Sequence, residues 1–434
     1  MYFLYEGGFV MKHSNQMTVS SIDKRRWIVL VLQMLVGSVT AYVYNLTIYI
    51  GPMNEKLGWD PSVVILVWTV MMVVGLPGSL IGGKLNAKYG SKFALKVGGI
   101  AFGAAVILSA FSTSAIMFVI TDSIACLCMY VVYVSQLANV GALFPDKSAF
   151  ATGLFIGATS LGTALLAPFI EWLTRTMDLM HGIALQGIIY AAIVFICGFL
   201  IVEAPEGYVP ANMEKKLDEE EKSKYIDRPD YTVVQILRKP SFWLLIIGVV
   251  VGTAFCNGLS ANLSLVAQNA VGVGTTAGAL FFSAWQISCG VGGIVVGFMS
   301  DKWFGPVKSF MLLCIVCAAA ALILVAVGVD KYALFLIIII ILGLGAGAIL
   351  TLIPDTSMQV FGERNFGFTY GILVFAGAGA ALIGTQVTTR CTSVMTFTYG
   401  AILCLAGAVT FFLITMLLKK ESRKEEAVRV GAEK

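Results

Sequence analysis

The sequence predicts an all-α membrane protein of about twelve spans arranged as two six-helix halves. Composition is the first observation behind this. Of 434 residues, 58% are hydrophobic and only 12% charged, too apolar for one soluble core to hide, so lipid must be the solvent for most of the surface. The second is a set of uncharged runs, each long enough to cross a hydrocarbon layer as a helix. The third is a single long charged stretch, Glu206 to Lys239, that divides those runs six and six.

In chain order, residues 1–26 form a cytoplasmic N-terminal segment without the apolar stretch of a signal peptide, and Met1 or Met17 could be the natural start. The expected spans are 27–51, 62–83, 93–112, 116–143, 150–174 and 183–203, within an N-terminal bundle at 27–204. A cytoplasmic linker at 205–240 follows, with its charges around Asp218-Glu219-Glu220-Glu221-Lys222 suited to a solvated helix. The C-terminal bundle, 241–418, holds spans at 241–268, 275–300, 309–328, 332–358, 366–389 and 395–418, and a cytoplasmic tail covers 419–434. The 45 glycines suit helices that approach closely in a bilayer.

Lysine and arginine set the orientation, because basic loops are retained in the cytoplasm. Lys24, Arg25, Arg26, Lys84, Lys88, Lys92, Lys96, Lys147, Lys302, Lys308 and Arg364 fall on one face with the linker and tail. The opposite face keeps Lys56, Arg175, Lys331 and Arg390. Both termini are therefore expected inside, in a multi-pass protein of the inner (plasma) membrane.

The two halves echo each other. Gly83-Lys84-Leu85-Asn86-Ala87-Lys88 after the second span answers Gly297-Phe298-Met299-Ser300-Asp301-Lys302 after the eighth. Phe144-Pro145-Asp146-Lys147 with Ala151-Thr152-Gly153 answers Phe361-Gly362-Glu363-Arg364 with Thr369-Tyr370-Gly371. Such a repeat places a substrate site between the halves near the bilayer midplane.

On these motifs the chain resembles the oxalate/formate antiporter family of the major facilitator superfamily, which includes lactate and pyruvate transporters. Tyr44-Asn45-Leu46-Thr47 with Pro52-Met53, Phe144-Pro145-Asp146-Lys147, Ala204-Pro205-Glu206-Gly207-Tyr208, Asp230-Tyr231-Thr232 with Pro240-Ser241-Phe242-Trp243, and Tyr370-Gly371-Ile372-Leu373 carry the likeness in order. The resemblance implies the major facilitator fold and alternating access. It also implies a loop of the form G-x-x-x-D-x-x-G-R/K after the second span, whose acid helps to lock one state. Here Ala87 replaces that acid while Gly83, Gly90 and Lys92 remain, and Asp301 keeps the acidic position in the second half, with one extra residue before Gly305. Asp301, Lys302, Lys88 and Arg364 are the gating candidates. The resemblance further implies an Arg in the eighth span and a Lys in the eleventh for a dianion; alignment puts Gly293 and Gly377 there. No Lys or Arg lies deep in any expected span, which disfavours a dicarboxylate.

A substrate must then be held by hydroxyl, amide and indole groups and by aromatic walls. The candidates are Tyr44 and Trp68 in the first two spans, Tyr130, Tyr133 and Gln136 on one expected face of the fourth, Asn257 in the seventh, and Trp285 and Gln286 in the eighth. Asp122 and Asp355 are acids within spans and candidates for carrying a proton.

The function expected is secondary transport of a small monocarboxylate such as lactate, pyruvate or formate, by proton symport or anion exchange. Transport of a neutral or cationic metabolite through the intramembrane acids is the alternative. A membrane receptor or enzyme is remote, since loops are short and no intramembrane His or G-x-S-x-G is present. There is no phosphate-binding loop for ATP and no catalytic residue, and the expectation is no cofactor, no metal and no nucleic-acid partner. Cys314 and Cys317, spaced C-x-x-C, have no second pair nearby in sequence and are read as packing residues. One chain suffices as a monomer, with lipid, substrate and protons as its partners.

Overall fold

The structure is a computed structural model that describes residues 19–42, 46–60, 62–205, 208–210, 231–362 and 364–432. Tyr44, Met1, Met17, Glu363 and the acidic cluster of the linker lie outside the described residues, as does the side chain of Trp68.

All regular structure among the described residues is helical. The first half contains α1 (Val19–Thr40), a 3-10 turn (Leu46–Tyr49) with short α2 (Ile50–Leu57), α3 (Ser62–Tyr89), α4 (Ser91–Ser109), α5 (Ala115–Leu143), α6 (Ser148–Thr176) and α7 (Leu179–Leu200). The short α8 (Val233–Arg238) precedes α9 (Pro240–Val271), α10 (Thr275–Met299), α11 (Pro306–Val327), α12 (Tyr332–Phe361), α13 (Phe366–Arg390) and α14 (Ser393–Ala432). Nine stretches among the described residues are long and apolar enough to cross a membrane. The first span departs from expectation: its helix starts earlier, at Val19, and stops at Thr40, before the 3-10 turn. The last helix runs on through the expected tail to Ala432.

Helix ends follow local chemistry. Ser114 accepts the Met117 N–H at the start of α5, Asp178 accepts that of Met180 at the start of α7, and Thr232 with Gln235 forms a capping box on α8. Pro77, Pro168 and Pro354 lie within long helices, where neighbouring helices can satisfy the freed carbonyls.

The internal repeat is visible in backbone angles. Gly90 begins α4 at φ 83° and ψ 167°, and Gly305 begins α11 at φ 72° and ψ 165°. Both values lie where a side chain would strain the backbone, so glycine at these two positions sets equivalent corners. The extra residue before Gly305 is absorbed by a π turn at Ser300–Phe304, the way a helix takes up a single insertion.

The described ends of the linker are tied to the bundles. The Tyr208 hydroxyl donates to Asp23 at the foot of α1, and burial together with that bond pushes the Tyr208 phenol above its ordinary range. At the other end Asn365, between α12 and α13, donates to the Tyr231 carbonyl at 2.7 Å, and Lys239 lies over the Tyr231 ring at 3.8 Å.

Candidate functional site

The start of α1, the α5–α6 turn and the end of α10 meet through Arg26–Asp146 and Ala149–Asp301 contacts on one face of the bundle, called here the basic face. There the halves meet at two crossings. In the first, α6 lies on α10: a Cβ on Gly153 would collide with the Gly293 carbonyl, and one on Gly297 with the Ala149 carbonyl. The rings of Phe150 and Phe298 meet edge-on at 6.0 Å. In the second, α3 lies on α13, where Gly83 and Gly367 touch backbone to backbone and Gly371 faces Ser79. Close approach of this kind is available only to residues without side chains.

Asp301 closes the first crossing with charge. Its carboxylate accepts the backbone N–H groups of Ala149 at 3.0 Å and Phe150 at 2.7 Å. These are orphan donors at the start of α6, and they sit at the positive end of its dipole. The helix capped belongs to the other half of the molecule. At the second crossing Ala87 occupies the place equivalent to Asp301.

The remaining gating candidates are exposed, and Lys302 touches the rim of the first crossing through the Phe298 ring. Lys302 is exposed, over the rings of Trp303 at 5.4 Å and Phe298 at 5.5 Å. Lys88 is exposed over Tyr89 at 5.0 Å, and Arg364 is exposed in the turn between α12 and α13.

An aromatic floor spans the halves next to these crossings. Tyr133 of α5 meets Phe155 of α6 at 5.5 Å and Tyr370 of α13 at 6.4 Å, and Tyr370 stacks on Phe366 at 5.3 Å. About 10 Å further along α13 from Tyr370, a Cβ on Gly377 would meet nothing within 4 Å, and the same is true of Gly379. A side chain would therefore find room at both positions, which point to nearly opposite sides of α13.

Sequence reasoning misjudged several neighbours of Tyr133. Tyr130 is buried against α3, where a Cβ on Gly75 would lie 3.0 Å from its ring. Gln136 is fully buried inside the first half and donates to the Gln33 carbonyl at 2.9 Å. The three residues do not share a face, because each three-residue step turns a helix about 60° short of a full circle, leaving Tyr130 and Gln136 about 120° apart. Gly293 is also displaced from its expected role. It is wedged in the first crossing, with a prospective Cβ 2.9 Å from the Thr351 hydroxyl, whereas Gly290, one turn away, borders open space.

Trp285 is fully buried, and its indole N–H has no partner. Gln286, about 100° around the helix, is exposed. Asn257 is half-buried and donates to Thr253 at 3.2 Å. Asp355 is fully buried near the basic end of α12, and Gln359 donates to both its oxygens at 3.0 and 3.1 Å. Asp122 is fully buried on α5 and accepts the Tyr42 hydroxyl at 2.7 Å. Phe155 and Phe366 were missed in the sequence, where nothing separates them from other core aromatics.

The Major Facilitator Superfamily profile matches residues 29–385. The chain belongs to the Major Facilitator Superfamily. It is 24% identical over 380 residues to the oxalate:formate antiporter of Oxalobacter formigenes, covering 83% of each chain. It is also 24% identical over 289 residues to the uncharacterized MFS-type transporter YhjX of Escherichia coli (strain K12), covering 66% of this chain and 69% of that one. The solved structure of the proton:xylose symporter XylE shares the fold, with a TM-score of 0.67 at 12% identity over 90% of this chain and 95% of that one. The protein is thus a multi-pass membrane transporter of the facilitator fold, working by secondary transport and alternating access.

Proposed function

We propose that the protein transports a small organic acid carrying one negative charge, of the size of lactate, pyruvate or formate, driven by a proton gradient or by exchange for another anion. The observation that carries this reading is the character of the path. Its floor is Tyr133, Tyr370, Phe155 and Phe366, and the three helices that supply these rings hold no lysine or arginine other than Arg175 and Arg390 at their far ends. Phenol hydroxyls can satisfy one carboxylate. A dianion brought into the same space would keep an unpaired charge, which costs several kcal/mol. The likeness to an oxalate:formate antiporter supports organic acids as the class, while Gly377 offers no countercharge for a second carboxylate.

With the basic face in the cytoplasm of a bacterial-type inner membrane, this is the outward-facing state. Asp301 is the gating residue: its bond to α6 holds the cytoplasmic side shut and must break when the path opens inward.

The buried acids Asp122 and Asp355 favour a second reading, a neutral or cationic substrate. A thermal-shift panel of carboxylates, amines and neutral metabolites on the purified protein separates the two, because a ligand that prefers the folded carrier raises its midpoint. Monocarboxylates are expected to raise it most. A dominant response to amines would establish the second reading, and a dominant response to oxalate would overturn the first.

A further inference from the structure

We propose that Asp122 is a proton-binding site inside the N-terminal half, apart from the path between the halves, and that it loads and releases a proton as the transporter alternates. The proposal rests on the transport reading above and deepens it toward proton coupling.

Asp122 has no exposed surface. Its Oδ1 accepts from the Tyr42 hydroxyl at 2.7 Å and its Oδ2 faces the Cys126 thiol at 4.0 Å. The titratable groups around it are Tyr42 at the end of α1, Tyr49 in the 3-10 turn, Tyr190 on α7 beside the Tyr42 ring, and Cys126 on its own helix. Phe102 of α4 meets the Tyr42 ring at 6.0 Å and lines the same space. No lysine, arginine, histidine or second acid among the described residues stands against it. Phenols and thiols are neutral at ordinary pH. An ionised carboxylate here is thus a lone charge in a low-dielectric interior, steadied by one hydroxyl, whereas the neutral acid needs no countercharge.

A row of buried polar side chains approaches it from the face opposite the basic one. The Tyr49 hydroxyl donates to the side-chain amide oxygen of Gln186, the Gln186 amide nitrogen donates to the Tyr190 hydroxyl at 2.8 Å, and the Tyr190 ring meets that of Tyr42 edge-on at 6.4 Å. This network is uncharged and touches the Tyr42–Asp122 pair through ring contact. Toward the basic face, the same α1–α5 seam holds the Gln33 amide, unpaired at both ends, and the unpaired Gln136 Oε1. Buried polar atoms left this way are served by internal water.

The step is one proton transfer. A proton from water bonds to Oδ2, the carboxylate becomes the neutral acid, and Tyr42 keeps its bond to Oδ1. Release returns the proton to water, and no other bond changes.

Infrared difference spectra of the purified protein, taken between acid and alkaline buffer, test the site without any substrate. A carboxylic-acid carbonyl band that titrates and shifts in heavy water is expected in the wild type, lost in Asp122→Asn, and moved in frequency in Tyr42→Phe. A band that does not titrate, or that persists in Asp122→Asn, overturns the proposal. Should Asp122→Asn not fold, an unmoved band in Tyr42→Phe overturns it alone. Proteoliposomes add the coupling: Asp122→Asn keeps exchange of labelled for unlabelled solute but loses accumulation driven by a pH gradient. Accumulation equal to wild type contradicts the coupling. A wrong substrate class would silence the proteoliposomes while leaving the infrared band intact, so the two failures are distinguishable.

Discussion

The two crossings that shut the basic face are pseudo-symmetric mates built on different principles. At α6 and α10, glycine packing is joined by Asp301, whose carboxylate holds two backbone N–H groups of the opposite half. At α3 and α13, Gly83 and Gly367 supply the approach, and Ala87 brings no charge. Glycine packing is common to both crossings, and on the gating role proposed for Asp301 the acid adds a bond that must break before the halves part. One half of the molecule carries the latch, and the other offers a fitted surface.

The largest expected effect breaks the fitted surface. Gly367→Leu forces a side chain into backbone of α3, and overpacking of this sort costs about 1–3 kcal/mol or more. Uptake into proteoliposomes should fall to background while the protein still purifies as a folded species. Uptake near wild type would show that the second crossing does not have to close.

Removing the latch should come next. Asp301→Ala leaves two helix-terminal donors without their acceptor, a loss of about 1–3 kcal/mol, or roughly a five- to 150-fold shift toward the inward-open state. Amide hydrogen exchange at Ala149 and Phe150 reports it, with faster exchange expected there and little change at the α13 start. Uniform acceleration across both crossings would mean that Asp301 acts on overall stability.

A smaller effect sharpens the comparison from the other side. Ala87→Asp supplies the missing acid, and a charge at a helix N-terminus contributes about 0.3–1 kcal/mol. Exchange at the start of α13 should slow by about two- to fivefold, and the closed state should gain. Smallest of all, Lys88→Ala and Lys302→Ala remove exposed side chains, the second from the rim of the first crossing at Phe298, and changes within about 0.5 kcal/mol are expected in a thermal melt.

Much of this was legible in the sequence, and the failures have a common cause. Helix positions followed from hydrophobic runs, because each span is specified by its own residues. Gly90 and Gly305 both stood in the loop pattern, but only the structure shows that they form equivalent corners and that a π turn takes up the extra residue before Gly305. What local pattern could not supply was the partner across an interface. Gly293 aligned with a cation position yet packs against α6. Tyr130, Tyr133 and Gln136 were grouped by spacing, but α3, α13 and α1 each claim one of them. Cys314 and Cys317 looked isolated, yet they fit against Gly252 and Gly345 of neighbouring helices, with Cys256 and Cys404 close by.

The measurement that reaches furthest is counterflow in proteoliposomes. Vesicles loaded with unlabelled lactate, pyruvate or formate receive the labelled acid outside, with oxalate as competitor. The account predicts rapid exchange of at least one monocarboxylate, weak competition by oxalate, and a several-fold loss in Tyr133→Phe from removal of a single hydroxyl worth about 1 kcal/mol. Strong competition by oxalate with no exchange of any monocarboxylate would contradict it.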